Sequence, residues 1–143
     1  MQDYPNSYYI DSLDRNLIQH PSLLDSHECD LCIIGGGFTG LSTAIEASKK
    51  GLKVILLEQN KIAWGASGRN GGQIGIDISS GVQNLEKKYG FETVKNLWNV
   101  SLDAVKLIDQ RIDEFKIQCD KKTGNLSVAT NHSTVKDFES EID

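Results

Sequence analysis

Sulfur and imidazole are scarce in this 143-residue chain, which has three cysteines and three histidines. Cys29 and Cys32 form a single C-x-x-C, and Cys119 stands apart, so there is no second pair to close a zinc site. Both members of the pair lie at or within a predicted strand, where residues three apart point to opposite faces. Buried thiols are therefore expected. His20, His27 and His132 are scattered among polar residues, with no spacing that suggests a metal site or a nucleophilic triad. No apolar run reaches the length of a membrane span, and Met1 to Asn16 is polar, without a signal-peptide core. The formal net charge of −5 argues against a nucleic-acid partner or an anionic membrane surface. With cysteines this few and unpatterned, a reducing cytoplasm is the expected location. The carboxylates fall mostly on predicted helix surfaces, and no acid/base pair can be picked out among them.

Glycine is the residue the chain uses with a pattern. Residues 30–58 read as an apolar run (Leu31 to Ile34), a Gly-x-Gly-x-x-Gly turn, an amphipathic stretch, a second apolar run (Val54 to Leu57) and a terminal acid, Glu58. That order, within about 30 residues, is a βαβ unit. Continuous apolar runs suit parallel strands covered on both faces. Gly35 allows the tight turn out of the first strand, Gly37 a close backbone approach to a pyrophosphate, and Gly40 close packing of helix on sheet. The helix starting near Phe38 and Thr39 aims its free N–H groups and positive dipole end at the phosphates. Its inward face is expected at Leu41, Ala44, Ile45 and Ser48, with Gly51 ending it. Glu58 falls about 20 residues beyond the turn, where a carboxylate accepts hydrogen bonds from a ribose. It is followed by Gln59 and Asn60, with no nearby arginine for a 2′-phosphate, so NADP is disfavoured. NAD and FAD share the ADP half, and the unit alone leaves both open.

The next stretch separates them. Residues 63–75 carry five glycines and one arginine and offer little to build a core. A plain NAD-binding fold places an amphipathic crossover helix soon after its second strand. A glycine-rich run instead exposes backbone N–H groups that hold anions. Ser67, Arg69, Asn70 and Gln73 add side-chain hydrogen bonds toward a pyrophosphate or a ring system.

Gly35-Gly36-Gly37-Phe38-Thr39-Gly40, Glu58 and Gly65-Ala66-Ser67-Gly68-Arg69-Asn70-Gly71-Gly72-Gln73 together resemble the amino end of FAD-dependent amine and amino-acid oxidoreductases. This group contains D-amino-acid oxidase, glycine oxidase and sarcosine oxidase. Within it the chain is most similar to the gamma-glutamylputrescine oxidase branch, as are Ser7-Tyr8-Tyr9 and Ile117-Gln118-Cys119-Asp120. The resemblance implies FAD as cofactor, with its ADP half on the βαβ unit and residues 65–73 beside the pyrophosphate and isoalloxazine. It implies cofactor contacts from Gly35, Gly37, Phe38, Thr39, Gly40, Glu58, Gln59, Ala66, Ser67, Arg69, Asn70, Gly71, Gly72 and Gln73. It also implies oxidation of an amine C–N bond by hydride transfer to flavin, with molecular oxygen as acceptor. Arg69 is expected to stabilise negative charge on phosphate or reduced flavin. The block contains no His or Cys for a covalent flavin link. Competing readings are an NAD-dependent dehydrogenase fragment and a non-catalytic, truncated nucleotide-binding remnant.

The fold class is α/β: a Rossmann-like FAD-binding βαβ unit followed by a long helix, in an incomplete doubly wound domain. Residues 1–28, with both prolines, read as an extension packing across the flavin domain. Residues 29–117 read as the amino-terminal part of that domain, and 118–143 as the start of a truncated substrate-binding domain. Asn84 to Lys88 suit a short helix ending at Gly90. Phe91, Val94, Leu97, Trp98, Val105, Ile108, Ile112 and Phe115 repeat at threes and fours, giving one helix of roughly seven turns. Its opposite face is Lys95, Asn99, Asp103, Lys106, Gln110 and Asp113, and Trp98 is expected in the core. Thr123 to Asn125 suit a turn, Leu126 to Ala129 a strand, and Ser133 to Asp143 the start of a helix. With only two sheet strands before the glycine-rich block, the chain reads as an amino-terminal fragment.

Overall fold

The computed structural model describes residues 3–13, 19–76, 81–126, 128–132, 134, 135 and 138. They form two compact units, Met1–Gln73 and Ile74–Asp143. The first contains α1 (Tyr8–Ser12), β1 (Leu31–Ile34), α2 (Phe38–Lys49), β2 (Val54–Leu57) and a 3₁₀ turn at Ala66–Gly68. The second contains α3 (Val82–Tyr89) and α4 (Phe91–Phe115).

β1 and β2 pair in parallel with Leu31 opposite Val54 and Ile34 opposite Leu57. α2 packs on both strands, as the βαβ pattern requires. The helix ends as the sequence predicts. Gly51 takes a φ of +81°, which favours a residue without Cβ, and the Leu52 N–H reaches back to the Ala47 carbonyl at 3.2 Å. Leu41, Ala44 and Ile45 are half-buried, but the buried position at the far end of the face is Ala47, and Ser48 is exposed. At 100° per residue Ser48 still falls within about 20° of the Leu41 direction, so its exposure reflects a lack of cover over that turn and not a change of period.

β1 is covered on one face rather than two, whereas all four residues of β2 are half-buried. Leu31 and Ile33 are half-buried, whereas Cys32 is exposed and Ile34 is 88% exposed. A run of apolar residues cannot report which side receives a helix, and α2 lies on one side only. The expectation of buried thiols fails at Cys32 for the same reason; Cys29, before the strand, is half-buried, Cys119, beyond α4, is exposed, and all three are free.

In the second unit α3 is longer than expected, running from the Gly81 N-cap to Tyr89, with Lys87 and Lys88 in the last turn where cations favour the dipole. α4 spans 25 residues, matching the expected length. It stops where Lys116 enters the left-handed region (φ +51°) and the Ile117 N–H bonds the Ile112 carbonyl at 2.9 Å. Lys95, Asn99, Asp103, Lys106, Gln110 and Asp113 are all exposed, as expected of a solvated face. The apolar stripe is not a core, however. Val94 is buried at 2% exposure, but Phe91, Leu97, Trp98, Ile108 and Phe115 are exposed. α3 packs on α4, yet at 1.5 Å per residue its eight residues cover only about 12 Å of a helix roughly 37 Å long. Trp98 therefore lies on a surface and not in the expected interior. Gly124 has a positive φ, suiting the expected turn, but Leu126, Val128 and Ala129 take no strand conformation. Most of the helix expected from Ser133 to Asp143 lies outside the described residues. Among the described residues, no helix is long and apolar enough to cross a membrane.

Candidate cofactor-binding site

The three consecutive glycines form the turn between β1 and α2. Gly35 carries a φ of +107°, and its N–H continues the sheet by donating to the Leu57 carbonyl at 2.7 Å. A Cβ at Gly40 would overlap the Gly35 carbonyl oxygen and lie 3.3 Å from Ile33 Cγ2, so glycine there sets how closely α2 approaches the sheet. Gly36 is buried and held on both sides. Its N–H donates to Glu58 Oε2 at 2.6 Å, and its carbonyl accepts from the Ala63 N–H at 2.8 Å. A Cβ on Gly36 would meet Ile62 Cδ1 at 2.7 Å.

Glu58 closes β2 and receives a second amide, Asn60 N–H to Oε1 at 2.9 Å. The backbone amides of Asn60 and Gly36 hold its carboxyl below the usual glutamate range, against a smaller upward push from burial. Its negative charge therefore persists at neutral pH, at the mouth of the turn. Gln59, next to it, is exposed, and its amide also favours the ionised carboxylate.

The glycine-rich block returns to the same place. The 3₁₀ turn at Ala66–Gly68 brings Ser67 Oγ to 3.0 Å from the Phe38 N–H, where it accepts a hydrogen bond in the first turn of α2. A Cβ at Gly37 would meet that same oxygen at 2.8 Å. Asn70 ties the block together: its Nδ2 donates to the carbonyls of Ser67 at 2.9 Å and Ala66 at 3.3 Å, and its Oδ1 accepts the Gly72 N–H at 2.8 Å. Arg69 is exposed, with Nε donating to the Gly65 carbonyl at 3.2 Å and the guanidinium 5.0 Å from the centre of the Trp64 ring. Thr39 is exposed, and its carbonyl accepts from Thr43 Oγ1 at 2.8 Å.

Of the residues singled out from the sequence, Phe38 meets Ser67, and Asn70 gathers Ala66, Ser67 and Gly72. Gln73 folds against Gly71, where an added Cβ would lie 2.5 Å from its Oε1. Arg69 is turned onto Trp64 within its own block, away from any contact with Glu58. The sequence reading did not place Gly36, Asn60 or Ala63 in the arrangement. A fourth glycine beyond the three the motif needs was the available signal for Gly36. Among the described residues there is no group of three or more metal-ligating side chains. A wide hollow of about 410 Å³ beside Ser42, Glu46 and Leu52 lies along the later turns of α2 and is no part of this constellation.

The family model described as FAD dependent oxidoreductase matches residues 30–143. The chain belongs to this family. Relatives extend the match across nearly the whole chain. The probable oxidoreductase OrdL of Haemophilus influenzae is 41% identical over 96% of this chain and 32% of its own length. The gamma-glutamylputrescine oxidoreductase of Escherichia coli is 37% identical over 97% of this chain and 32% of its own length. The probable oxidoreductase OrdL of Rhizobium meliloti is 31% identical over 86% of this chain and 29% of its own length. The chain thus spans about a third of the length of these relatives. No solved structure matches it. Membership of an FAD-dependent family answers the choice the βαβ unit left open, in favour of FAD over NAD.

Proposed function

We propose that this chain is the ADP-holding part of a cytoplasmic flavoenzyme that oxidises a C–N bond of a small amine, either a gamma-glutamylputrescine-like compound or an amino acid. FAD, when bound, supplies the hydride acceptor, and molecular oxygen is the proposed reoxidant. In this reading residues 29–117 belong to the FAD-binding domain and 118–143 begin the substrate-binding domain. The observation that carries the proposal is the bond from the Gly36 amide to Glu58, which sets an ionised carboxylate beside a glycine turn at a helix N-terminus.

The residues present fit the ADP half of such a cofactor. A carboxylate accepts about four hydrogen bonds, and two backbone amides leave Glu58 with capacity for ribose hydroxyls. The opening N–H groups of α2, beginning at Phe38, Thr39 and Gly40, lack intrahelical acceptors and suit a pyrophosphate. Ser67 Oγ accepts the Phe38 N–H, the kind of bond a phosphate oxygen also accepts. Asn70, Gly71, Gly72 and Gln73 shape the loop that carries Ser67. Arg69, held over Trp64, supplies positive charge at the surface of the same block. The C–N substrate class is supported by the name of the E. coli relative and by the resemblance of the glycine-rich block.

The test is to purify the natural full-length protein, record its visible spectrum, and follow oxygen consumption with gamma-glutamylputrescine and a panel of amines and amino acids. A flavin spectrum bleached by an amine under anaerobic conditions is the expected result. A colourless protein that binds NAD would overturn the proposal. A yellow protein inert to every amine would leave a flavin-binding remnant and overturn the catalytic part.

A further inference from the structure

The extension at residues 3–13 makes its distant hydrogen bonds to one target. The Tyr4 hydroxyl donates to the Ile62 carbonyl at 2.9 Å, Trp64 Nε1 donates to the Asp3 carbonyl at 2.8 Å, and the Tyr9 hydroxyl donates to the Asn70 carbonyl at 3.0 Å. Lys61 pairs with Asp3 at 2.8 Å and lies 5.1 Å from the centre of the Tyr4 ring. All of these partners fall within residues 61–70, about 60 positions along the chain. Between the two segments lies a narrow cleft of about 90 Å³, lined by Tyr4, Pro5, Tyr9, Ile62, Trp64 and Gly68 among others.

α1 does not explain this arrangement by its own stability. Five residues with none buried are far below the length at which a helix persists in water. What the segment gains is attachment to the glycine-rich block, whose glycines contribute no side chains of their own to fix it. From Tyr9 a short relay runs to the first turn of α2. Tyr9 holds the Asn70 backbone, the Asn70 side chain holds the Ser67 carbonyl at 2.9 Å, and Ser67 Oγ meets the Phe38 N–H at 3.0 Å. The Tyr9 oxygen also abuts Gly72, where an added Cβ would lie 2.6 Å away.

We infer that residues 3–13 are a strap whose positioning residues preset the glycine-rich block for a pyrophosphate, Tyr9 by holding Ser67 at the start of α2 through Asn70 and Tyr4 by holding the approach to the block at Ile62. This rests on the FAD-binding reading above. The strap touches no reacting atom. It acts by removing loop freedom that cofactor binding would otherwise have to remove, which raises affinity without adding a contact.

The experiment uses the full-length natural protein freed of flavin, with Tyr9→Phe, Tyr4→Phe and the double variant. Tyr8→Phe is the control, since Tyr8 is 74% exposed and, among the described residues, its ring contact is with Tyr9, which the substitution keeps. Two quantities are read: the FAD dissociation constant by fluorescence quenching, and the rate of tryptic cleavage after Arg69 in the flavin-free protein. Loss of one hydrogen bond per variant should weaken FAD about three- to tenfold and speed cleavage at Arg69, with the double variant worse and Tyr8→Phe like wild type. Wild-type FAD affinity and wild-type cleavage in the double variant would overturn the inference while leaving the FAD reading intact. Weaker FAD binding with unchanged cleavage at Arg69 would also overturn it, because the block would then not have been loosened. A wild-type protein that binds no FAD would instead fail the reading on which the inference rests.

Discussion

Replacing Glu58 with alanine removes the acceptor for two backbone amides at once, Gly36 at 2.6 Å and Asn60 at 2.9 Å. The two losses are unequal. Asn60 lies at a surface bend where water can replace the carboxylate, but Gly36 is buried, so its N–H is left without a partner. An orphaned buried donor costs about 1–3 kcal/mol, a large part of the roughly 5–15 kcal/mol that holds a domain together. Read as a ribose ligand alone, Glu58 would be removable with the fold nearly intact; the bond to Gly36 makes it part of the turn as well. Glu58→Ala is therefore expected to lower the urea midpoint of the flavin-free full-length protein and also to weaken FAD. Loss of charge-assisted bonds to the ribose, about 1.5–3 kcal/mol, corresponds to a dissociation constant about 10- to 150-fold higher. Glu58→Gln should fall between, because one amide oxygen can still accept while the NH₂ group faces a donor. An alanine variant with wild-type urea stability and wild-type FAD affinity would refute both roles. Weakened FAD with unchanged stability would refute the structural one.

The same carboxylate gives a pH dependence of known sign. Its folded-state pKa lies below the unfolded one because the amides of Asn60 and Gly36 favour the ionised form. The stability it contributes is fully present above the unfolded value, about 4.3, and is lost as pH falls through the lower folded value. Urea midpoints of the wild type should thus decline between about pH 5 and pH 3 more steeply than those of Glu58→Gln, whose amide does not titrate. Parallel curves would count against the coupling.

Gly37→Val should abolish flavin retention in the full-length protein, since the side chain would fill the space between the turn and Ser67; unchanged flavin content would refute this. Gly37→Ala is conformationally allowed at a φ of −91°, so its cost in the flavin-free protein should come from the contact with Ser67 Oγ. Adding Ser67→Ala relieves that contact but also removes the Phe38 bond, so the double variant should lose less than the sum of the two single variants, a coupling that a double-mutant cycle measures. Gly40→Ala should destabilise by the upper end of the about 1–3 kcal/mol typical of overpacking, because the new methyl would overlap the Gly35 carbonyl; equilibrium unfolding checks it. Arg69→Ala should either lose FAD or slow anaerobic flavin reduction by about tenfold, roughly 1.4 kcal/mol. Full flavin content with a wild-type rate in stopped flow would remove Arg69 from both roles.

The βαβ unit was legible because its signals are local and redundant. Two apolar runs, a glycine turn, a helical period and Gly51 each point to the same boundaries, and β1, α2 and β2 fall on them. α4 was legible for the same reason: its period runs unbroken over 25 residues. Coverage was not legible. Ile34 and Trp98 are as apolar as any core residue, but burial depends on what packs from the other side, and no periodicity within an element encodes its neighbour. Cys32 is exposed by the same logic, since it shares the open face of β1 with Ile34.

Within the candidate site, the motif residues were readable by type and their connections were not. Gly36 illustrates the difference. The pattern Gly-x-Gly-x-x-Gly treats its position as variable, yet Gly36 is the residue through which β2, the turn and the later block are joined: its amide reaches Glu58 and its carbonyl reaches Ala63. A motif written for cofactor contact omits such a position because its neighbours are protein atoms, separated by more than 20 residues of sequence. Ser67 shows the converse. The sequence nominates its hydroxyl for a ligand, and in the fold that hydroxyl serves the helix that would receive the ligand. A bond of this kind contributes about 1 kcal/mol as a helix cap and must be shared or exchanged when an anion arrives at the same amides. FAD affinity in this chain is thus expected to measure the difference between the phosphate bonds and the Ser67 bond. Ser67→Ala should for that reason weaken FAD by less than the loss of a ligand contact alone would require. A full ligand-sized loss, with no change in the stability of the flavin-free protein, would show that the hydroxyl belongs to the cofactor alone.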